Sequence, residues 1–246
     1  MVRRGVPVER EGSGAPRTTG RPPRLSRELA VDAAVGIVRA KGMDALTMRA
    51  LADALDATPM ALYRHVGDRD ALALLVVDRV MSQVTLPDPS TPALASLRAL
   101  AHEVRAIGRA HPGVMDVLLE QGPAVRSALV ILDVVVQKLH AEGASWRDAA
   151  ALHNTFFSWL AATIRREERW ASREPGSQPL RHFIEVAGSL SKSEYPGLAH
   201  VLPHMPGADL DREFESSLGF MLDGVAARLA PGREPMSPRR RASRGG

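Results

Sequence analysis

Between Thr47 and Val66 the chain spells two helical segments, TMRALADAL and TPMALYRHV, each only about two turns long. Isolated helices shorter than roughly 12 residues are marginal in water, so neither segment can persist unless it buries a face against something else. The start signals are local. Thr47 and Thr58 stand where a hydroxyl caps the first free amides of a helix, and Pro59 occupies the first helical position, where a missing N–H costs little. Upstream, Leu29, Ala33, Ile37 and Val38 recur at helical spacing after Ser26, and Lys41-Gly42 supplies a basic last turn with a left-handed stop. The three segments therefore require one small shared core, to which the spacing assigns Leu46, Leu51, Leu55, Leu62 and Val66. With Leu62 and Val66 pointing inward, Pro59, Met60, Tyr63 and Arg64 turn to solvent. The result is helix, turn, helix, the second member presenting a rigid face that begins at its own N-terminus.

Such a face suits the major groove of B-DNA, where a helix reads bases with the side chains of its first turns. Arg64 is a donor for a phosphate or for guanine, Tyr63 and His65 for phosphate oxygens, and Met60 and Ala61 fit thymine methyl groups. Arg49, at the front of the preceding helix, reaches a base edge or a phosphate. No acid lies between Ala57 and Gly67, although residues 26–70 as a whole hold six basic and seven acidic residues. Taken singly, each residue has a plainer reading: Tyr63 as a half-buried core tyrosine, Arg64 and Arg69 as ordinary surface charges, His65 as a cap or packing residue. The joint pattern favours the DNA-reading assignment.

The run AVDAAVGIVRAKGMDALTMRALADALDATPMALYRHVGDRDALALL resembles the N-terminal domain of the TetR family of transcriptional regulators over residues 25–75. Leu62-Tyr63-Arg64-His65-Val66 is similar to the tetracycline-repressor branch. The resemblance implies that Thr47 and Arg49 contact DNA from the second helix, and that Thr58, Pro59, Met60, Ala61, Tyr63, Arg64 and His65 form the recognition face. It also implies that Arg69 grips a phosphate at the start of the fourth helix. Asp56 departs from the pattern, since the family usually has glycine at this left-handed turn; Asp tolerates that conformation better than most residues.

Residues 73–231 read as a second all-helical domain. Pro87 to Pro92 is a break, after which helices are expected through Arg109, over VMDVLLEQ, from Pro123 to Glu142 with an apolar face of Val130, Ile131, Val134, Val135 and Leu139, and from Trp146 to Ala171 after Ser145. Residues 172–208 are rich in Pro, Gly and Ser and are expected to hold one short helix near Leu180 to Leu190. The closing helix, 210–230, carries Leu210, Phe214, Leu218, Met221, Leu222, Val225 and Leu229 on one stripe, and its Phe-Glu-x-x-Leu and Leu-Asp-Gly elements are similar to those of TetR relatives. Together with the helix over 146–171 it is expected to form half of an intermolecular four-helix bundle, with Phe214, Leu218, Met221, Leu222 and Val225 in the interface; an intramolecular helix pair is the alternative. A homodimer reads a near-palindrome, and a core domain tethered to a reader implies a small-molecule inducer. Candidate lining residues for its pocket are Met81, His102, Met115, Leu118, Leu132, His153, Phe156, Phe157 and Trp159.

The fold expected is therefore all-α: a three-helix helix-turn-helix DNA-binding domain at 26–72, followed by a helical ligand-binding and dimerisation domain at 73–231. Residues 1–25 carry six arginines against two glutamates and residues 233–246 five against one, so the net charge of +4 resides in the tails and the segment between is net negative. Both 1–25 and 232–246 are poor in large apolar residues and are expected to be disordered basic arms, acting as solubilising tails or as flexible contacts to phosphates.

Several function classes are disfavoured. The chain has no cysteine, no apolar run near the ~20 residues of a membrane span, and a beginning without the apolar core of a secretory signal, so it is expected to be cytoplasmic. No nucleophile elbow, zinc-protease motif or phosphate-cradling glycine loop is present, so an enzyme, a cofactor and a metal are not expected. His200 and His204 are four apart, but Pro203 interrupts the helix that would align them, and Glu167-Glu168 within RREER reads as a solvated helix face. Two classes remain: a dimeric, ligand-responsive repressor bound to double-stranded operator DNA, and a helical small-molecule carrier or protein-interaction module on the same fold. Sequence-specific DNA binding separates them.

Overall fold

A computed structural model of the chain describes residues 25–171, 181–204 and 209–230. Among them the chain forms eleven α-helices and no strand: α1 (Arg27–Lys41), α2 (Met48–Ala54), α3 (Pro59–Val66), α4 (Arg69–Met81), α5 (Ala93–Ala110), α6 (Val114–Gln121), α7 (Arg126–Ala141), α8 (Trp146–Ala171), α9 (Arg181–Gly188), α10 (Pro196–Val201) and α11 (Leu210–Leu229). The two basic tails, apart from Leu25, fall outside the described residues.

The first four helices begin where side-chain caps dictate. Ser26, Thr47, Thr58 and Asp68 each accept a hydrogen bond from the amide three residues on, at 3.1 Å from Leu29, 3.0 Å from Ala50, 3.3 Å from Ala61 and 2.8 Å from Ala71. Asp56, in the turn between α2 and α3, has φ 48°, the left-handed conformation that the glycine-like position demands. Leu46, Leu51, Leu62 and Val66 are buried together, with Leu55 half-buried at the edge. The buried stripe of α1 differs from the one expected: Ala30, Val31, Ala34 and Val38 face the core, whereas Leu29, Ala33 and Ile37 are half-buried. The small alanines let α1 lie close to α4, so the larger residues are pushed to the flanks of the contact.

α4 connects the two layers. Its first turn closes the small N-terminal core and its last turns, Val76, Val77, Val80 and Met81, enter the larger one, so the expected boundary between residues 72 and 73 falls inside a continuous helix. Arg79 pairs with Asp32 of α1 at 3.2 Å. In the body, α7 organises the loop before α5: Lys138 donates to the carbonyls of Asp88 (2.7 Å), Pro89 (3.2 Å) and Thr91 (2.7 Å), and Glu142 accepts the Ala93 amide that starts α5. Of the apolar face expected on α7, Val135 and Leu139 are buried and Ile131 and Val134 half-buried, whereas Val130 is exposed and Ala128 is buried in its place. Residues 181–204 hold two helices rather than one, because Pro196 starts α10 where composition alone suggested loop.

α5, α8 and α11 are joined by a buried charge cluster. Glu167 is 2% exposed, and its carboxylate takes three hydrogen bonds from Arg105, at 2.9, 3.0 and 3.1 Å. Arg105 also donates to Asp211 at 2.6 Å and lies 4.2 Å from the centre of the Phe214 ring. The expectation of a solvated face at Glu167-Glu168 is thereby corrected: the partner of Glu167 is a cation sixty-two residues away in sequence, and Glu168 is also turned inward. Removing one member of such a pair strands the other charge in low dielectric. Glu167→Ala is predicted to lower the unfolding free energy by about 3–5 kcal/mol in urea denaturation, whereas the paired Arg105→Met, Glu167→Leu replacement costs much less.

Candidate nucleic-acid interface

Burial of Leu62 and Val66 on one side of α3 fixes what the other side shows. Each contributes roughly 1.5–3 kcal/mol by leaving water, which pins the rotation of an otherwise marginal helix. Met60 is 68% exposed and Tyr63 48% exposed, and Pro59, Arg64 and His65 are also exposed, while Ala61 is half-buried. Thr47, Arg49 and Thr58 are exposed around the start of the same face. The hydroxyls of Thr47 and Thr58 cap α2 and α3 as acceptors, which leaves their O–H groups as donors at the two helix N-termini. The expected recognition residues other than Ala61 are thus exposed, with no acidic side chain between Ala57 and Gly67.

Arg69 is placed differently from a free phosphate clamp. Its Nε donates to the Leu46 carbonyl at 3.1 Å, tying the start of α4 to the entry of α2, and its Nη1 lies 3.7 Å from Asp70. The Arg69 side chain as a whole stays half exposed. Its structural tie was not legible in the sequence, because the acceptor is a backbone carbonyl twenty-three residues earlier.

Of the expected ligand-pocket residues, Met81, His153, Phe156 and Phe157 line one apolar cavity between α4, α5, α7 and α8, with Leu97, Leu100, Val104, Ile131, Val135 and Leu160. Its volume is about 40 Å³, room for one or two waters. Burial lowers the pKa of His153, the one titratable lining residue among the described residues, and so favours the neutral imidazole. The other candidates do not line this cavity. Met115 and Leu118 are buried against other parts of the core, Leu132 sits half-buried outside the cavity, and His102 lies 3.5 Å from Glu215 at the surface. Trp159 faces α11, stacked on Phe214.

The α11 residues expected at a partner surface face inward in the single protomer. Phe214, Leu218, Leu222 and Val225 are buried inside the protomer's own core, and Met221 is half-buried beside them. They meet α5 and α8 of the same chain, so the stripe serves the intramolecular packing. The residue left outside is Phe220, 77% exposed. On either side of it lie two grooves, one of about 280 Å³ between α8 and α11 lined by Ala151, Leu152, Thr155, Met221 and Gly224, the other of about 760 Å³ lined by Trp159, Arg166 and Ser217 of these helices and by Pro203 and His204 after α10.

Comparison with known proteins points in one direction. Residues 30–76 match the model of bacterial regulatory proteins of the tetR family, and residues 86–229 match the tetracyclin repressor-like C-terminal domain. An HTH-type transcriptional regulator of Saccharopolyspora erythraea is 27% identical over 206 residues, covering 83% of this chain and 86% of the relative. An HTH-type transcriptional repressor of Streptomyces coeruleorubidus is 26% identical, covering 92% and 86% respectively. Among solved structures, the TetR family protein ActR of Streptomyces coelicolor in complex with actinorhodin superposes with a TM-score of 0.73 at 27% identity, over 83% of this chain and 97% of that one.

The exposed side chains of α3 contribute little to the core, so Tyr63→Ala and Arg64→Ala are predicted to weaken duplex binding at least tenfold in an electrophoretic shift assay while leaving the melting temperature unchanged. Arg69→Ala, by contrast, should lower stability by about 1 kcal/mol through the lost bond to Leu46.

Proposed function

Because the chain belongs to the tetR family of bacterial regulatory proteins, we propose that it binds a near-palindromic operator as a homodimer and releases it when a small molecule enters the helical domain. The protein is a DNA-binding transcriptional regulator with a helix-turn-helix reader. The observation that carries the finer reading is the pairing of an exposed, acid-free α3 face with a separate apolar cavity reached through α4, the helix common to both cores. Its output is occupancy of DNA rather than chemical conversion of a substrate. No helix among the described residues is long and apolar enough to cross a membrane.

Residues 26–72 supply the reader, with Thr47, Arg49, Thr58, Pro59, Met60, Ala61, Tyr63, Arg64 and His65 toward the groove. The remainder to about 231 supplies ligand binding and dimerisation. ActR is solved with actinorhodin, and the likeness to it supports an organic ligand for this chain in the cavity beside His153 and Phe156. At about 40 Å³ that cavity must open to take such a molecule, because pockets for organic ligands typically hold about 300 Å³ or more. Opening moves α4 relative to α5, α7 and α8, and α4 carries the motion to the reader. The ligand shifts the balance only by its differential affinity for the two arrangements, ~1–3 kcal/mol in typical couplings.

For dimerisation, the outer faces of α8 and α11 are the surface the reading requires. Phe220 projects beside small residues, Ala151 and Gly224, and a two-fold axis lets the phenylalanine of each copy enter the groove of the other. Phe220→Glu is predicted to turn the dimer into a monomer in sedimentation and to reduce operator affinity by more than tenfold, with the fold retained. A Phe220→Glu protein that remains dimeric contradicts this interface. The function itself is tested by nuclease footprinting on the DNA flanking its own gene, where removal of residues 1–24 should also lower affinity and flatten its salt dependence if that arm touches phosphates.

A further inference from the structure

The reader and the body meet at a second seam besides α4. The α5–α6 corner, His111-Pro112-Gly113, packs on the turn that follows α1: Met43 donates its amide to the Pro112 carbonyl at 2.8 Å. Gly113 has φ 86°, and a Cβ there would lie 2.6 Å from the Met43 Cβ, so the two backbones are as close as glycine permits. From the third side, α8 sends in Glu168, whose Oε2 accepts the Gly113 amide at 3.1 Å. Its Oε1 is buried with no hydrogen-bond partner among the described residues.

We propose that Glu168 is a positioning residue for the DNA-reading domain: it clamps the α5–α6 corner against the turn after α1, and the gain or loss of its proton sets how firmly that seam stays closed. The charged groups around it come from every neighbouring element. Asp116 and Glu120 are on α6, Arg165, Glu167 and Arg169 on α8, Lys41 and Asp44 at the α1 turn, and Arg69 and Asp70 on α4, most of them lining one cleft of about 630 Å³. Arg165 is ion-paired with Asp116, and Glu167 with Arg105. The Glu168 carboxyl is left in a desolvated place beside the like charge of Asp116, with one amide donor.

Burial, aided by Asp116 and only partly opposed by the Gly113 amide, pushes the Glu168 pKa up from 4.5 to about 7. A group whose pKa is raised in the closed seam favours that seam fully below the solvated value, and this preference is lost as the pH climbs from 4.5 through 7. The ceiling on the effect between pH 5.5 and pH 8 is roughly 30-fold, and the partial exposure of Glu168 reduces it to several-fold. The direction in which DNA binding responds rests on the function proposed above, in which the arrangement closed around the small cavity is the operator-binding one. Operator affinity then falls as the pH rises.

The test compares wild type, Glu168→Gln and Asp116→Asn for binding to the footprinted duplex from pH 5.5 to pH 8, with melting temperatures recorded at each pH. Glutamine reproduces the protonated carboxyl and can still accept from Gly113. The expected result is a several-fold loss of wild-type affinity across this range, absent in Glu168→Gln, which keeps at pH 8 the affinity the wild type shows at pH 5.5. Asp116→Asn should move the wild-type step to lower pH. Superimposable profiles for wild type and Glu168→Gln, or a step that Asp116→Asn leaves in place, overturn the proposal. A wild type that protects no DNA segment at any pH overturns the proposed function instead, which keeps the two failures distinct.

Discussion

An eight-residue helix cannot hold itself in water, and α3 depends on the two side chains that anchor it. Leu62 and Val66 are one turn apart and both are buried, so α3 has a single permitted rotation about its axis. That rotation puts Met60, Tyr63, Arg64 and His65 outside. The caps at Thr47, Thr58 and Asp68 then fix where α2, α3 and α4 begin, which sets the angle at which the exposed face is offered. In the function proposed above, dimerisation and a ligand act by moving this unit as a whole.

The body is attached to the reader at more than one place. α4 runs from one core into the other, and the Met43–Gly113 contact gives a second attachment, so the reader is held at two points. The buried Arg105–Glu167 pair and its extension to Asp211 bind α5, α8 and α11 into one block behind the second attachment. Asp211 is held below the usual carboxylate range chiefly by the hydrogen bond from Arg105, so it stays charged and the link to α11 persists over ordinary pH. Glu168 sits one residue from that block and faces the seam. Rigidity on one side of the carboxylate is what allows a single proton to matter on the other.

What could be read from the sequence follows from how local each cause is. Helix starts were legible because Ser26, Thr47 and Thr58-Pro59 act on amides within three residues. The outward face of α3 was legible because its two anchors leave only one alternative. The apolar stripe of α11 was legible too, since Phe214, Leu218, Leu222 and Val225 are buried together, but what it packs against was not, because only the position of α5 and α8 decides that. The same limit applies to Glu167, whose charged neighbours in RREER imply solvent while its partner lies sixty-two residues away. α10 was missed because a six-residue helix opened by proline has too few apolar positions to stand out from loop.

The central claim is that two α3 helices, related by a two-fold axis, lie in successive major grooves of a near-palindromic site. Methylation interference at guanine N7 on the protein's footprinted DNA tests it most directly, because that atom lies in the major groove. The account predicts two symmetric clusters of interfering guanines about one helical turn, ~10 base pairs, or a small multiple apart. Interference that is absent, confined to one cluster, or scattered without symmetry along the protected segment would contradict it.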